Sequence, residues 1–129
     1  MYNIDRLIHL HEILYPNWYD DRLRGDTESE NIIYNSLIEL EGILSSDVDR
    51  YTKLKSILKT SSVIMLYQIF YDGNSHTAKL FLVEEMNKIG YSIDYSKVKD
   101  LMIIPQIYSY EEDISDNSVD KVSNISVKK

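Results

Sequence analysis

The stretch Val63 to Phe70 is apolar on nearly every face, and Leu80 to Val83 is a second apolar run. Between them stands Tyr71-Asp72-Gly73-Asn74-Ser75, built from turn-forming residue types. A helix that is apolar all round has no face to offer water and must be buried. Two such segments joined by a short turn predict a central helical pair, over about Val48–Tyr67 and Ser75–Ile89, with the rest of the chain wrapped around it. Gly90 stands where the second helix should stop, with Lys88 in its last turn.

The wrapping elements also show helical spacing. Ile4, Leu7, Ile8 and Leu14 share one face, with Leu10 beside it, and predict a helix over Ile4–Leu14, capped by Asn3 and ended by Pro16. Asn17 to Ser29 is polar and reads as a connecting loop. Ile33, Leu37, Leu40 and Leu44 mark a helix over Glu30–Leu44, after which Ser45, Ser46 or Asp47 caps the next one. Asp94 caps a short helix over Tyr95–Ile103, and Pro105 ends it. From Gln106 the apolar spacing fades. A short helix around 107–114 is the most this region offers, and the last dozen residues read as a disordered acidic tail, too poor in apolar surface to offset their ordering entropy. The expected fold class is all-α: a compact helical bundle over residues 1–104, followed by a tail over 105–129.

At 129 residues the chain fits one domain with its own core. It has no cysteine, hence no disulfide framework and no thiolate metal site. Its formal net charge of -7 opposes binding to nucleic acid, which needs a basic face, and to anionic membrane surfaces. No apolar run approaches the ~20 residues that span a bilayer. The first residues lack a basic stretch followed by an apolar one. The expected location is therefore cytoplasmic, with export as an effector by a specialised route as the alternative.

The turn between the two buried helices carries the chemistry. A helix N-terminus exposes unpaired amides and a partial positive charge, and a glycine before it lets the backbone approach an anion. Gly73, Asn74 and Ser75 therefore form a candidate phosphate cradle. The same residues also make an ordinary turn with an N-cap.

The run Gln68-Ile69-Phe70-Tyr71-Asp72-Gly73-Asn74-Ser75-His76-Thr77-Ala78-Lys79 resembles the motif of the Fic/Doc (Fido) family, His-Pro-Phe-x-Asp/Glu-Gly-Asn-Gly-Arg-x-x-Arg. Phe70, Asp72, Gly73 and Asn74 are identical, and Lys79 replaces the final arginine. Upstream, Leu7 to Trp18, with His9 or His11 and then Leu14-Tyr15-Pro16, is similar to the family's early leucine-histidine helix. Arg22 and Arg24 stand in its arginine region. The resemblance implies a Fic-like helical bundle that takes ATP with magnesium, Asp72 serving as the metal ligand and Gly73, Asn74, Ser75, His76 and Lys79 holding the nucleotide anion. The family's docking flap has only the short polar stretch Arg22 to Glu30 available. His9 and His11 read as surface or packing residues.

The departures bear on activity. The family's catalytic histidine is Gln68 here, and an amide accepts no proton near neutral pH, so no residue of the motif is a competent catalytic base. Loss of general-base catalysis typically costs about 10²–10⁴ in rate. Ser75 replaces the second glycine, and His76 replaces the first arginine, a weaker phosphate clamp than a guanidinium fork. The expected function is a pseudoenzyme of a protein-adenylylating family, acting as a nucleotide- or anion-binding module or as a protein-interaction module. The alternatives are an active Fic-type transferase moving a phosphate-linked group to a protein hydroxyl, and an unrelated helical adaptor with a protein partner.

Overall fold

The computed structural model describes residues 1–17 and 23–128. The chain forms α1 (Ile4–Leu14), α2 (Thr27–Leu44), α3 (Arg50–Tyr67), α4 (Asn74–Lys88), β1 (Tyr91–Ser92), α5 (Tyr95–Val98), α6 (Asp116–Asn124) and β2 (Val127–Lys128). The fold is an all-α bundle. None of the described helices is long and apolar enough to cross a membrane.

Short polar side chains set where the helices begin. Asn3 accepts from the Arg6 amide, Asp26 from Ser29, Asp49 from Thr52, Asp94 from Ser96 and Ser115 from Ser118. Each satisfies a donor that the first turn leaves unpaired. Two starts differ from the sequence reading for this reason. Asp26 begins α2 at Thr27, three residues before Glu30. Asp49, rather than Ser45, Ser46 or Asp47, begins α3 at Arg50. Helix α4 starts at Asn74 and ends at Lys88, each one residue earlier than expected. Helix α5 is a single turn that stops at Val98, well short of Ile103.

The central pair is as the apolar runs require. Helix α3 packs against α2 on one side and α4 on the other, and α1 lies on α4. Leu54, Ile57, Leu58, Val63 and Ile64 of α3 and Ala78, Phe81, Leu82 and Met86 of α4 are buried, together with Ile33, Leu37 and Leu40 of α2. Each large side chain of this kind contributes roughly 1.5–3 kcal/mol by leaving water. Ser61 and Ser62 are buried too, their hydroxyls donating back to the Ile57 and Leu58 carbonyls, so small polar residues let neighbouring helices approach without unsatisfied groups.

Helix α1 is held to α4 by charge as well as by packing. Arg6 donates to Glu85 and Glu84, each at 3.0 Å, and its guanidinium lies 4.7 Å from the Phe81 ring centre. Lys88 reaches the other Glu85 oxygen at 2.9 Å, off the line of a hydrogen bond. Burial alone would raise the Glu85 carboxyl, but the hydrogen bond from Arg6, the Arg6 charge and the adjacent Lys88 ammonium hold it below its ordinary range. The same burial, with Glu85 beside it, pushes the Tyr2 hydroxyl up to about 12.

The C-terminal segment is not the disordered tail that its composition suggests. Residues 107–114 make no helix, but Asp116–Asn124 does, and α6 docks on α3 with Val119 and Val122 fully buried. Tyr51 donates to Asp116 at 2.9 Å, and Lys55 lies 3.7 Å from both Asp113 and Asp116. Strand β2 then pairs antiparallel with β1, Tyr91 opposite Lys128. A single apolar stripe is enough for a short helix once a core helix offers it a surface.

Candidate functional site

The junction between α3 and α4 is built by backbone constraint. Helix α3 ends at Tyr67, and Gln68 takes a left-handed conformation (φ 45°), the only described residue other than glycine with positive φ. Such a conformation costs a non-glycine residue on the order of 1–3 kcal/mol and persists only where the surroundings enforce it. The surroundings do so. Arg24 donates from its side chain to the Gln68 carbonyl at 2.8 Å and from its amide to the Ile69 carbonyl at 2.7 Å, and Leu23 bridges Phe70 in antiparallel fashion. Ile69 and Phe70 are buried immediately after. Asn74 then folds back: its side-chain oxygen accepts from the Phe70 amide at 3.0 Å and its nitrogen donates to the Phe70 carbonyl at 2.9 Å.

Helix α1 supports the loop from beneath. His11 is buried and stacks on Phe70, ring centres 4.3 Å apart. Its Nε2 donates to the Asp72 carbonyl at 3.0 Å, since a carbonyl can only accept. Gly73 is left-handed (φ 78°), and a Cβ there would stand 2.5 Å from the Tyr15 ring. Only glycine meets both demands. The Tyr15 hydroxyl lies 3.2 Å from His76 Nδ1, and burial, then the Asp72 charge, raise it above its ordinary value.

What this produces is a helix start without a side-chain cap. Gly73 is the N-cap of α4 and offers no side-chain acceptor. Thr77 is the residue whose amide first bonds back, to the Gly73 carbonyl at 3.0 Å. The amides of Asn74, Ser75 and His76 precede it, carrying the positive end of the helix dipole. These residues border an open hollow of about 340 Å³ lined by Gln68, Asp72, Gly73, Asn74, Ser75 and His76 together with Met65 and Tyr71.

No protein-family model, curated protein or solved structure matches this chain. The site therefore rests on its own geometry. Six of the residues singled out in the sequence meet in this hollow. Lys79 does not. It faces a second hollow and donates to the Lys99 carbonyl at 2.6 Å. Asn74 lines the first hollow, but its side chain is committed to Phe70, so its amide is what it offers an anion. His9 is exposed, 4.0 Å from Glu12. Trp18 and Arg22 lie outside the described residues, as does part of the stretch available to a flap. The described remainder of that stretch, at Leu23 and Arg24, already pairs with the loop.

Asp72 is exposed, and one of its oxygens accepts from the Gly73 amide at 2.8 Å. No group of three potential metal ligands occurs among the described residues. Magnesium on nucleotide phosphates ordinarily takes one or two protein carboxylates and fills its remaining positions with phosphate and water. A single carboxylate at the rim of this hollow fits that share. Gln68 sits at the same rim, exposed, with an amide that can donate and accept hydrogen bonds but takes up no proton.

Tyr15, His11 and Arg24 shape this site without belonging to the motif. Tyr15 carried no signal in spacing, since it stands in the break before Pro16. His11 was open to discovery through the leucine-histidine resemblance, but a histidine on a helix is most often a packing residue, and here it packs and also holds the loop.

Proposed function

We propose that this chain is a degenerate Fic-like protein that binds a phosphate-bearing ligand, a nucleotide foremost, at the α3–α4 junction and does not perform ordinary AMP transfer. The observation that carries the reading is the uncapped start of α4 facing a hollow, with Asp72 on its rim and Gln68 where the family has its catalytic histidine. Three successive amides at a helix start are a ready donor set for phosphate oxygen. Gly73 lets the backbone come close. Ser75 and His76 add neutral or weakly basic donors where the family has a glycine and an arginine, so the hollow suits one phosphate group better than an extended polyphosphate. Gln68 orients a ligand hydroxyl or phosphate by hydrogen bonding and leaves the target's proton in place.

The test is a titration of ¹⁵N-labelled protein with ATP and magnesium, paired with incubation of labelled ATP with candidate protein substrates. Amide shifts centred on Gly73, Ser75 and His76, weakened by Asp72→Ala, with no label transferred, are the expected result. Absence of shifts there would remove the nucleotide reading and leave a protein-interaction module. Label transfer that survives Gln68→Ala but is lost in His76→Ala would establish the transferase alternative instead.

A further inference from the structure

Beside the first hollow opens another, of about 310 Å³, between the end of α3, the start of α4 and the segment that follows α5. Its wall is mostly aliphatic, including Met65, Leu66, Leu101, Ile103, Ile104 and Ile107, with the Gln68 and Gln106 amides beside them, and no aromatic side chain lines it. Lys79 lies on this wall and is 7% exposed. Its ammonium has three protons to donate and gives one to the Lys99 carbonyl at 2.6 Å. No carboxylate stands within ion-pairing distance of it among the described residues. Glu85, the other fully charged side chain in the buried set, is met by both Arg6 and Lys88. Buried charges are ordinarily paired, because taking one out of water uncompensated is costly. Burial duly lowers the proton affinity of Lys79, with the Asp100 charge opposing. Since Lys79 borders a cavity and is not enclosed in the core, its missing counter-charge can come from a ligand.

We propose that this second hollow binds a small amphipathic oxyanion, a carboxylate or phosphate on an aliphatic body, with the Lys79 ammonium as its counter-charge. The body is aliphatic because the wall offers branched chains and a thioether that re-pack around a flexible molecule, and offers no ring for a planar base to stack on. The head is anionic because Lys79 is a cation. Ser75, one helical turn before Lys79, lines the same cavity and supplies a hydroxyl near the head. The inference stands on the unpaired ammonium and does not depend on nucleotide binding at the neighbouring junction.

The experiment uses the whole chain with ¹³C-labelled isoleucine, leucine and methionine methyl groups, titrated with decanoate, decyl phosphate, decanol and AMP. Decanoate or decyl phosphate should shift the Ile103, Ile104 and Ile107 methyls and bind at least tenfold more tightly than decanol, which has the same body without the charge. Lys79→Met, which keeps the stem and removes the charge, should lose at least tenfold in affinity while melting no lower than the native chain. Equal binding of decanol and decanoate overturns the proposal without any variant, as does undiminished decanoate binding by Lys79→Met. AMP binding in this cavity more tightly than either chain overturns the aliphatic body. Magnesium–ATP is read at the Gly73 and His76 amides, which line the first hollow alone, so failure of one reading is distinguishable from failure of the other.

Discussion

Gly73→Ala separates two costs that the structure superimposes at one position. The first is conformational. At φ 78° an L-residue brings its Cβ against the following carbonyl, which costs about 1–2 kcal/mol. The second is steric. The new methyl would stand 2.5 Å from Tyr15 Cε2 and 3.0 Å from Cζ, where carbon atoms settle at about 3.5–4.0 Å. The ring must therefore retreat by about 1 Å or more. It cannot swing freely, because its hydroxyl meets His76 Nδ1 at 3.2 Å and its ring centre lies 4.9 Å from that of His11. Overpacking of this sort costs about 1–3 kcal/mol, so the substitution should cost about 2–5 kcal/mol in all. Urea denaturation of the native chain, Gly73→Ala, Tyr15→Ala and the double variant measures both parts. In the Tyr15→Ala background the second cost should vanish and Gly73→Ala should fall to about 1–2 kcal/mol. If the glycine substitution costs the same in both backgrounds to within about 0.5 kcal/mol, Tyr15 does not press on the loop and the account of the junction is wrong.

Arg6→Ala should destabilise the chain by about 3–5 kcal/mol, because it leaves Glu85 buried with half its partners gone; chemical denaturation with a parallel Glu85→Gln variant checks it, and a loss below about 1 kcal/mol would show an ion pair no better than a surface one. Stability should also fall in acid. The folded-state Glu85 carboxyl lies below its ordinary value, so its contribution is complete above the usual glutamate range and disappears as pH drops through the lowered one. The capping carboxylates Asp26, Asp49 and Asp94, held low chiefly by hydrogen bonds from the residues they cap, act in the same direction. Thermal melts from pH 7 down to 3 should show the decline beginning near the ordinary carboxylate range and reduced in Glu85→Gln. Asn74→Ala should cost about 1–3 kcal/mol for each Phe70 backbone group it leaves unpaired, read by urea denaturation, and amide exchange at Phe70 should accelerate with it.

The helical core was legible because periodicity and burial arise from the same cause. Leu54, Leu58, Leu82 and Met86 repeat at helical intervals because one face of each helix meets another. Caps were legible where the residue stood alone, as at Asn3 and Asp94. They were ambiguous where several candidates crowded together, as at Ser45, Ser46, Asp47 and Asp49, since Ser and Asp both accept an amide. Helix α6 escaped notice because composition averages over a segment. Val119 and Val122 supply one narrow stripe in a polar stretch, and only the waiting surface of α3 turns that stripe into a folding energy.

The site was legible as a list of residues, but not as an arrangement. Counting along a helix, Ser75 and Lys79 are four apart and share a face, while His76 is rotated by about 100° from Ser75. The helix must therefore divide the motif's own residues between two surroundings: His76 toward α1 and Tyr15, Lys79 toward the segment after α5, with Ser75 at the border of both. No spacing argument decides whether a ligand bridges both surroundings or occupies one, since that depends on which neighbours fill each side. Here His11 of α1 and Tyr15 just after it fill the first side, leaving a hollow at the start of α4, and the 101–107 segment leaves a cavity on the second side. A motif in which every polar residue served one ligand would need the cationic residue at 79 to turn back toward the helix start. Instead its ammonium is fixed to the Lys99 carbonyl, one turn deeper and on the aliphatic side. The charge that a reading by resemblance assigns to the phosphate is, in this chain, turned away from the α3–α4 junction and toward the aliphatic hollow.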